Sequence, residues 1–483
     1  MDLIFYSALG VLAVASFAFA PRAVDADGFF RGQSGAGAAP SLLTLTFSQV
    51  TTWIFARSLL TAAILGYYYG IAGGLAYTAY YLSFFTGRAI IRSIRFRHGF
   101  DSVQDFLRDR FGTGGVGCYN VVVGVRLLSE VFANLLVIGI IFGETGTLAY
   151  GIAITMLAMA TLAYSMLGGL RASLKTDVFQ MTAFLAVFGV VIVVLFTADQ
   201  WSWASTLASS PMEASPGWIL LAVAGLQIWS YPLHDPVMMD RGFIADRDTT
   251  LNSFTHAGWI SMVCILGFSL LGVFAGLNAI DGETMQVALA RLLGPTTMIF
   301  INLALIISAV STLDSTLSSA SKLSVSHMGL DTTVKNGRIA MAIFMAGGLL
   351  FLFGGTKDLF SAVAVSGTAS MYLVPVIFFS LWLGRTDIPA WSYYLSFITA
   401  LAGAVLYYVE SSGMASGMDS YMTPLLGMEH KYTKLLVISG AVMVLGNAYF
   451  ALGLLWHRTQ PQGSDNTAIP AKAGIQKCRD GKN

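Results

Sequence analysis

Ten hydroxyl side chains and one carboxylate, Asp314, crowd the stretch "SAVSTLDSTLSSASKLSVS" from Ser308 to Ser326. It follows directly on the apolar run "MIFINLALI". On a helix, Ser308, Ser311, Thr312, Ser315, Ser318 and Ser319 share one stripe, because residues three and four apart lie on the same face. Val310, Leu313 and Leu317 take the other face. Two kinds of chemistry suit such a stripe. Small hydroxyl residues let helices approach closely and hydrogen-bond across the contact. Alternatively, several neutral oxygens, joined by backbone carbonyls freed from a helix, suit a hard monovalent cation without adding full negative charge. Asp314 lies two residues past Thr312 and so faces away from the Ser311–Thr312 pair. Its expected role is support rather than direct ligation.

Two further segments combine polarity with broken helical character. Gly32–Gly66 carries "TLTFSQVTTW" where a membrane span should be driest. Leu221–Phe243 contains "SYPLHDP", in which Pro232 and Pro236 each remove a backbone donor and clash with the preceding turn. Non-helical backbone at membrane depth is tolerated only where protein buries it or where it lines a watery cavity. Three ionisable side chains also fall inside apolar segments: Arg57, Arg126 and Glu130. Intramembrane charges are costly and usually paired. Arg126 and Glu130 stand at i and i+4, so they can pair on one helix face. Arg57 can pair with Glu130 across helices or hold a carboxylate of a solute, and the sequence leaves both open.

These residues must be positioned by a membrane framework. The chain has 483 residues, of which 55% are hydrophobic and 11% charged, with a mean hydropathy of +0.70. That composition belongs to membrane proteins. A net charge of +1 gives no reason to expect nucleic acid, and no obligatory protein partner is called for. Cys118, Cys264 and Cys478 form no CxxC pair, so neither a zinc site nor a disulfide framework is indicated.

About 20 apolar residues cross a bilayer as a helix. Thirteen segments qualify, at roughly 3–20, 41–66, 68–88, 117–142, 147–167, 177–197, 217–240, 254–276, 296–321, 338–356, 359–382, 391–410 and 434–456. The first ends in "AFAFAPR", like a cleavage site, but lacks a basic n-region, so a retained helix is expected. With the N-terminus outside, twenty-one Lys and Arg residues fall on inner loops and the tail, and four on outer loops. That asymmetry favours an outside N-terminus and a cytoplasmic C-terminus. "DSVQDFLRDRFG" reads as a short amphipathic helix on the inner face. One membrane domain is expected over residues 1–456, followed by a polar tail, 457–483, too polar to fold. The broken segments are the second and seventh, five apart. Paired interruptions of this kind point to two inverted repeats, about 38–198 and 217–384, and to a binding site between them.

The motifs resemble those of the sodium/solute symporter family. "SAVSTLDSTLSSASKL" resembles its signature helix, and "YSMLGGLRASLKTDVFQ" (Tyr164–Gln180) its Gly-Gly-Leu stretch. "FFRGQS…LTLTFSQVTTW" resembles its first broken helix, and "DPVMMDRGFIADRD" the end of its second. These matches lie in order from about Phe29 to Asp387. The resemblance implies an all-α integral membrane protein of about 13 transmembrane helices, with a LeuT-type five-plus-five inverted repeat and two broken helices.

It also implies a sodium site built from the carbonyls of Phe47, Val50 and Ser308 and the hydroxyls of Ser311 and Thr312. Solute would then bind where the broken helices meet, at Gln49, Thr51, Trp53 and Arg57 from the first and Gln227, Trp229, Tyr231 and His234 from the second. Asp235 is available as a partner for His234. Asp177 is expected near the start of the sixth segment, where the helix dipole favours an acid and Thr176 can cap. In some relatives an acid here influences a second ion, but Lys175 replaces the usual aromatic neighbour. Gln49 and the "PLHDP" stretch also depart from the family pattern, which leaves the solute's identity open.

The function that follows is sodium-driven uptake of a small polar organic solute across the plasma membrane, with Na+ as coupling ion and the lipid bilayer as surroundings. Proton coupling of the same fold is the alternative, through His234, Asp235 and Asp314. A transporter-like sensor would need signalling elements that a tail of this length does not display. A membrane enzyme would need a nucleophile–base set or a metal cluster, and the six scattered histidines supply neither.

Overall fold

The computed structural model describes residues 3–23, 25–33, 37–144, 146–210, 215–354, 359–412, 422–423, 427 and 429–459. The polar tail beyond 459 lies outside the described residues. Among the described residues there is no strand. The first half of the chain holds α1 (Leu3–Phe19), α2 (Ala26–Arg31), α3 (Leu42–Trp53), α4 (Ala56–Ala79), α5 (Ser83–Ile91), α6 (Val103–Phe142), α7 (Leu148–Gly168), α8 (Leu170–Thr197) and α9 (Trp203–Leu207). The second half holds α10 (Pro216–Gln227), α11 (Tyr231–His234), α12 (Pro236–Gly242), α13 (Arg247–Leu277), α14 (Met285–Lys322), α15 (Val334–Gly354), α16 (Leu359–Ser370), α17 (Leu373–Pro375), α18 (Ala390–Ser412) and α19 (Lys431–Thr459).

Nine described helices are long and apolar enough to cross a membrane, and the bent pair Ala364–Ser370 and Leu373–Trp382 makes a tenth. The protein is a multi-pass integral membrane protein. The expected segments fall on helical stretches among the described residues, with the seventh divided over α10, α11 and α12. The continuous stretch Ala56–Arg97 holds parts of two of them, divided at Gly70. Gly70 adopts φ 63°, ψ −152°, a conformation that L side chains rarely adopt. The amides just past that bend are taken by serines of the loop after α9: Ile71 N–H donates to Ser209 Oγ at 2.8 Å and Ala72 N–H to Ser210 Oγ at 3.0 Å. The amphipathic stretch at Asp101–Gly112 forms the first turns of α6, ending at a bend at Gly112.

Helices pack here with little help from the hydrophobic effect, since lipid is as apolar as leucine, so close approach matters more. The contact of α4 with α13 shows this. A Cβ on Gly272 would land on the Ala63 carbonyl, one on Gly276 on the Tyr67 carbonyl, and one on Gly66 on the Ser269 carbonyl. All three obstacles are backbone and cannot swing aside. Gly272→Ala is therefore expected to force the helices apart at a cost of about 1–3 kcal/mol, the range for overpacking. A thermal midpoint in detergent equal to wild type would show that the seam has slack.

α1 packs against α7 and α8. Gln180 Nε2 donates to Ser16 Oγ at 3.2 Å, and Phe19 stacks on Phe179 at 5.1 Å between ring centroids. From the second turn of α14 the Arg291 guanidinium grips Glu283 of the preceding loop at 2.8 and 2.7 Å. Those hydrogen bonds hold the Glu283 carboxyl down at about 2.

Candidate functional site

The first break separates α3 from α4 at Ile54 (φ −83°, ψ 39°) and Phe55. No proline or glycine causes it. Thr51 and Thr52 turn their hydroxyls back onto the carbonyls of Ser48 and Gln49 at 3.0 and 2.9 Å, a habit that bends helices. Phe55 then opens α4 with no side-chain cap. Helical carbonyls left without an N–H partner need another donor. Here hydroxyls from other helices supply it. Thr312 Oγ1 donates to Thr51 O at 3.1 Å, Tyr81 Oη to Trp53 O at 2.7 Å, and Ser308 Oγ to Ile54 O. The Val50 carbonyl, expected as an ion ligand, accepts the N–H of Ile54 at 2.9 Å. Phe47 is half-buried on the same turn.

The second break follows its prolines. α10 stops at Gln227, α11 is one turn, and Asp235 is extended (φ −96°, ψ 101°) ahead of Pro236, as a residue preceding proline should be. Asp235 caps α12 by accepting the Met238 N–H at 2.9 Å. Its other oxygen takes Arg126 Nη2 at 2.6 Å. Arg126 Nη2 is also 2.6 Å from Glu130, so the expected i, i+4 pair forms. The partner of Asp235 is thus Arg126, not His234. His234 Nε2 instead meets Ser366 Oγ at 3.0 Å, and its Nδ1 is buried without a partner.

On α14 most of the hydroxyl stripe is engaged, with Ser318 the exception. Ser311 donates to Asp177 Oδ1 at 2.7 Å, and Ser315 meets Ser173 at 2.9 Å. Thr316 reaches Glu130 at 3.3 Å, and Ser319 donates to Asp240 at 2.8 Å. Asp314 also reaches α8, taking Thr176 Oγ1 on one oxygen at 2.8 Å, while its Oδ1 has no partner.

Asp177 differs most from expectation. α8 begins at Leu170, so Asp177 lies two turns inside the helix and is no N-terminal acid. Thr176 does not cap; its hydroxyl goes to Ala172 O, Ser173 O and Asp314. The boundary was misplaced because Lys175 and Arg171 look like loop residues next to the apolar run that follows. Asp177 is fully buried and accepts Ser48 Oγ at 2.6 Å as well as Ser311. Arg241 stands beside it at 3.8 Å, donating to Ser48 at 3.0 Å and to Ser315 at 2.9 Å. Arg241 was counted with the inner loop charges. It is instead wholly buried at the end of α12 and couples the second broken helix to α3, α8 and α14.

The expected solute residues divide. Trp53 and Tyr231 meet edge to face at 5.6 Å, and Tyr231 accepts Arg126 Nη1 at 3.1 Å beneath a cation–π contact of 4.9 Å. Gln49 and Trp53 are buried, with both amide ends of Gln49 and the indole N–H unpartnered. Arg57 touches the Phe55 ring at 5.1 Å and makes no hydrogen bond or ion pair among the described residues. It does not pair with Glu130. Gln227 is consumed as a bracket, bound to Tyr80, Thr368 and Ser439. Trp229 turns to Phe378 and Trp382, at 5.8 and 6.2 Å, and does not join the group. Tyr77, Tyr80 and Tyr81 do join it, which the sequence reading missed. Their spacing of three and four residues in "YTAYYL" already placed them on one helix face.

A cavity of about 470 Å³ is lined by Arg126, Ser129, His234 and Ser366, and two others lie toward opposite ends of α14. One of about 660 Å³ is polar, with Asp27, Arg95, Asp105 and Lys322 in its wall. The other, about 210 Å³, is lined mainly by apolar residues such as Leu60, Val137, Phe268 and Met298. At the polar end Lys322 pairs with Asp240 at 2.7 Å, tying α14 to α12.

Two broken helices that meet at Trp53 and Tyr231, beside a hydroxyl-bearing helix, are the arrangement of the LeuT-type fold. The structure superposes on a Na+-coupled sialic acid symporter in a substrate-bound, outward-open state, with a TM-score of 0.65 and 13% identity, over 93% of this chain and 97% of that one. It is also similar to Mhp1, a nucleobase-cation-symport-1 family transporter in a closed conformation with bromovinylhydantoin bound. There the TM-score is 0.52 and the identity 15%, over 92% of this chain and 97% of that one. No protein-family model and no curated protein matches the sequence. The likeness is one of fold.

Proposed function

We propose that the protein is a sodium-coupled symporter that imports a small polar organic solute by alternating access. The observation that carries this reading is the joint between α3 and α14. Hydroxyls of Ser308 and Thr312 sit on carbonyls that the first break frees, and Ser311 links the same turn to Asp177. Rotating the hydroxyl hydrogens of Ser311 and Thr312 away would free their oxygen lone pairs for a cation, and the carbonyls of Phe47, Val50 and Ser308 would complete its ligands in this reading. A sodium ion there would hold the first broken helix against α8 and α14. Solute would bind beside it, among Gln49, Thr51, Trp53, Arg57, Tyr231 and His234.

Residues 38–198 and 217–384 are the two inverted repeats in this reading, and their rocking exposes the site to one side at a time. The Lys322–Asp240 pair, which ties α14 to α12, would lie toward the cytoplasmic side in this reading. The basic loops put the N-terminus outside and the C-terminus inside the plasma membrane. Linkage requires sodium and solute to raise each other's affinity by the same factor.

The test is sodium-dependent thermal stabilisation of the purified protein, with potassium and choline as controls. At about 100 times its dissociation constant, sodium should add about 2.7 kcal/mol to wild type. Ser311→Ala/Thr312→Ala should lose that gain. Equal responses to sodium and choline would remove sodium as the coupling ion. A pH-dependent response in its place would favour proton coupling through the unpartnered oxygen of Asp314.

A further inference from the structure

Within the polar core, carboxylates and guanidinium groups are unevenly matched by contact. Glu130 and Asp235 both lie 2.6 Å from Arg126. Asp177 faces Arg241, and Asp240 takes Lys322. Arg57 is left over. It is 2% exposed, its Nε has no partner, and it makes neither a hydrogen bond nor an ion pair among the described residues. Its charge reaches Tyr77, Tyr81 and Glu130, but the Glu130 carboxylate is already engaged by Arg126. A buried guanidinium costs several kcal/mol unless paired and hydrogen-bonded. An arginine also presents a planar fork that matches a carboxylate bidentately.

The neighbouring orphans have the same sense. Gln49, Trp53 and Arg57 follow one another at intervals of four residues across the first break. Gln49 Nε2, Trp53 Nε1 and Arg57 Nε are all buried N–H donors without an acceptor. Buried polar groups without partners are rare, and each asks for an explanation. Three donors in sequence ask for an acceptor. Gln49 Oε1 is a single unpartnered acceptor among them, suited to one hydroxyl or N–H on the same molecule. The rings of Trp53, Tyr80, Tyr81 and Tyr231 supply flat apolar walls.

Resting on the symporter reading above, we infer that the solute is a small organic carboxylate, its carboxylate held by Arg57 with help from the Gln49 amide and the Trp53 indole N–H. Sodium beside Thr312 would offset part of the added negative charge, so ion and solute favour each other electrostatically as well as through helix closure. Arg57 is then the specificity-determining residue that separates acids from their uncharged analogues.

The experiment compares isosteric pairs on the full-length protein in sodium: lactate with lactamide, and benzoate with benzamide. Thermal midpoints are read against concentration, using wild type, Arg57→Gln and Arg57→Lys. Wild type should be stabilised by the acids at concentrations at least about tenfold below those needed for the amides. Arg57→Gln should erase that preference. Arg57→Lys, which keeps the charge but not the fork, should retain a reduced one. The inference is overturned if acids and amides act alike on wild type, if Arg57→Gln keeps the preference, or if chloride alone reproduces the effect of the acids. Should Arg57→Gln fail to fold, the wild-type contrast and the Arg57→Lys titration still decide. Sodium stabilisation without added solute is measured in parallel. If it persists while the acids show no advantage, only the carboxylate inference falls. If it is also absent, the symporter reading falls with it.

Discussion

Arg126→Gln is expected to lower stability by about 3–5 kcal/mol, the range for removing one partner of a buried ion pair. Two carboxylates depend on this guanidinium. Glu130 and Asp235 each lie 2.6 Å from Nη2, and all three side chains are at most 2% exposed. Without Arg126, two carboxylates on different helices stand close together at membrane depth. Asp235 would still cap α12, but of the ties from α6 to the second break only the Tyr119–Leu233 hydrogen bond would remain among those described. The measurement is the unfolding midpoint in detergent, beside a triple variant, Arg126→Met/Glu130→Gln/Asp235→Asn. That variant removes every charge of the triad and keeps the cap, since asparagine caps as well as aspartate. It should recover most of the loss, because a buried triad replaced by neutral groups is often no less stable. A single variant within about 0.5 kcal/mol of wild type, the scatter of surface substitutions, would mean that water reaches the triad.

The second large effect is expected at Asp177. Asp177→Ala leaves Arg241 buried with its carboxylate gone, at a similar cost of about 3–5 kcal/mol. It also strips Ser48 and Ser311 of their shared acceptor on α8, while the Ser315–Ser173 and Thr176–Asp314 bonds still tie α14 to that helix. Sodium-dependent stabilisation should therefore fall along with stability itself. Asp177→Asn keeps an oxygen for one hydroxyl and should fold better, yet it still gives Arg241 no countercharge. Sodium stabilisation of Asp177→Asn equal to wild type would limit the role of Asp177 to holding Arg241. An Asp177→Ala protein as stable as wild type would show that the hydroxyls around Arg241 suffice without the acid.

The sequence by itself determined the framework. Apolar segment length and the prolines at 232 and 236 are local properties, and bilayer thickness converts them directly into spans and a break. The i, i+4 spacing of Arg126 and Glu130 also sufficed for their pairing, because helix geometry alone brings them together. The hydroxyl stripe on α14 was legible for the same reason. What only the tertiary structure decided is which charge meets which across helices. Arg241 looked like a loop cation and Asp177 like a helix-start acid, yet α8 extends two turns further back and buries both. Asp235 was assigned to its sequence neighbour His234, but Arg126, 109 residues away, reaches it at 2.6 Å. Gln227 and Trp229 lay on the right segment but face α16 and α19, or Phe378 and Trp382. Arg57 admitted two partners from sequence, and only the packing shows Glu130 already engaged by Arg126. The reason is common to all of these. A helix's periodicity fixes which residues share a face, but the rotation of that face toward a particular neighbour is set by side chains contributed from distant parts of the chain.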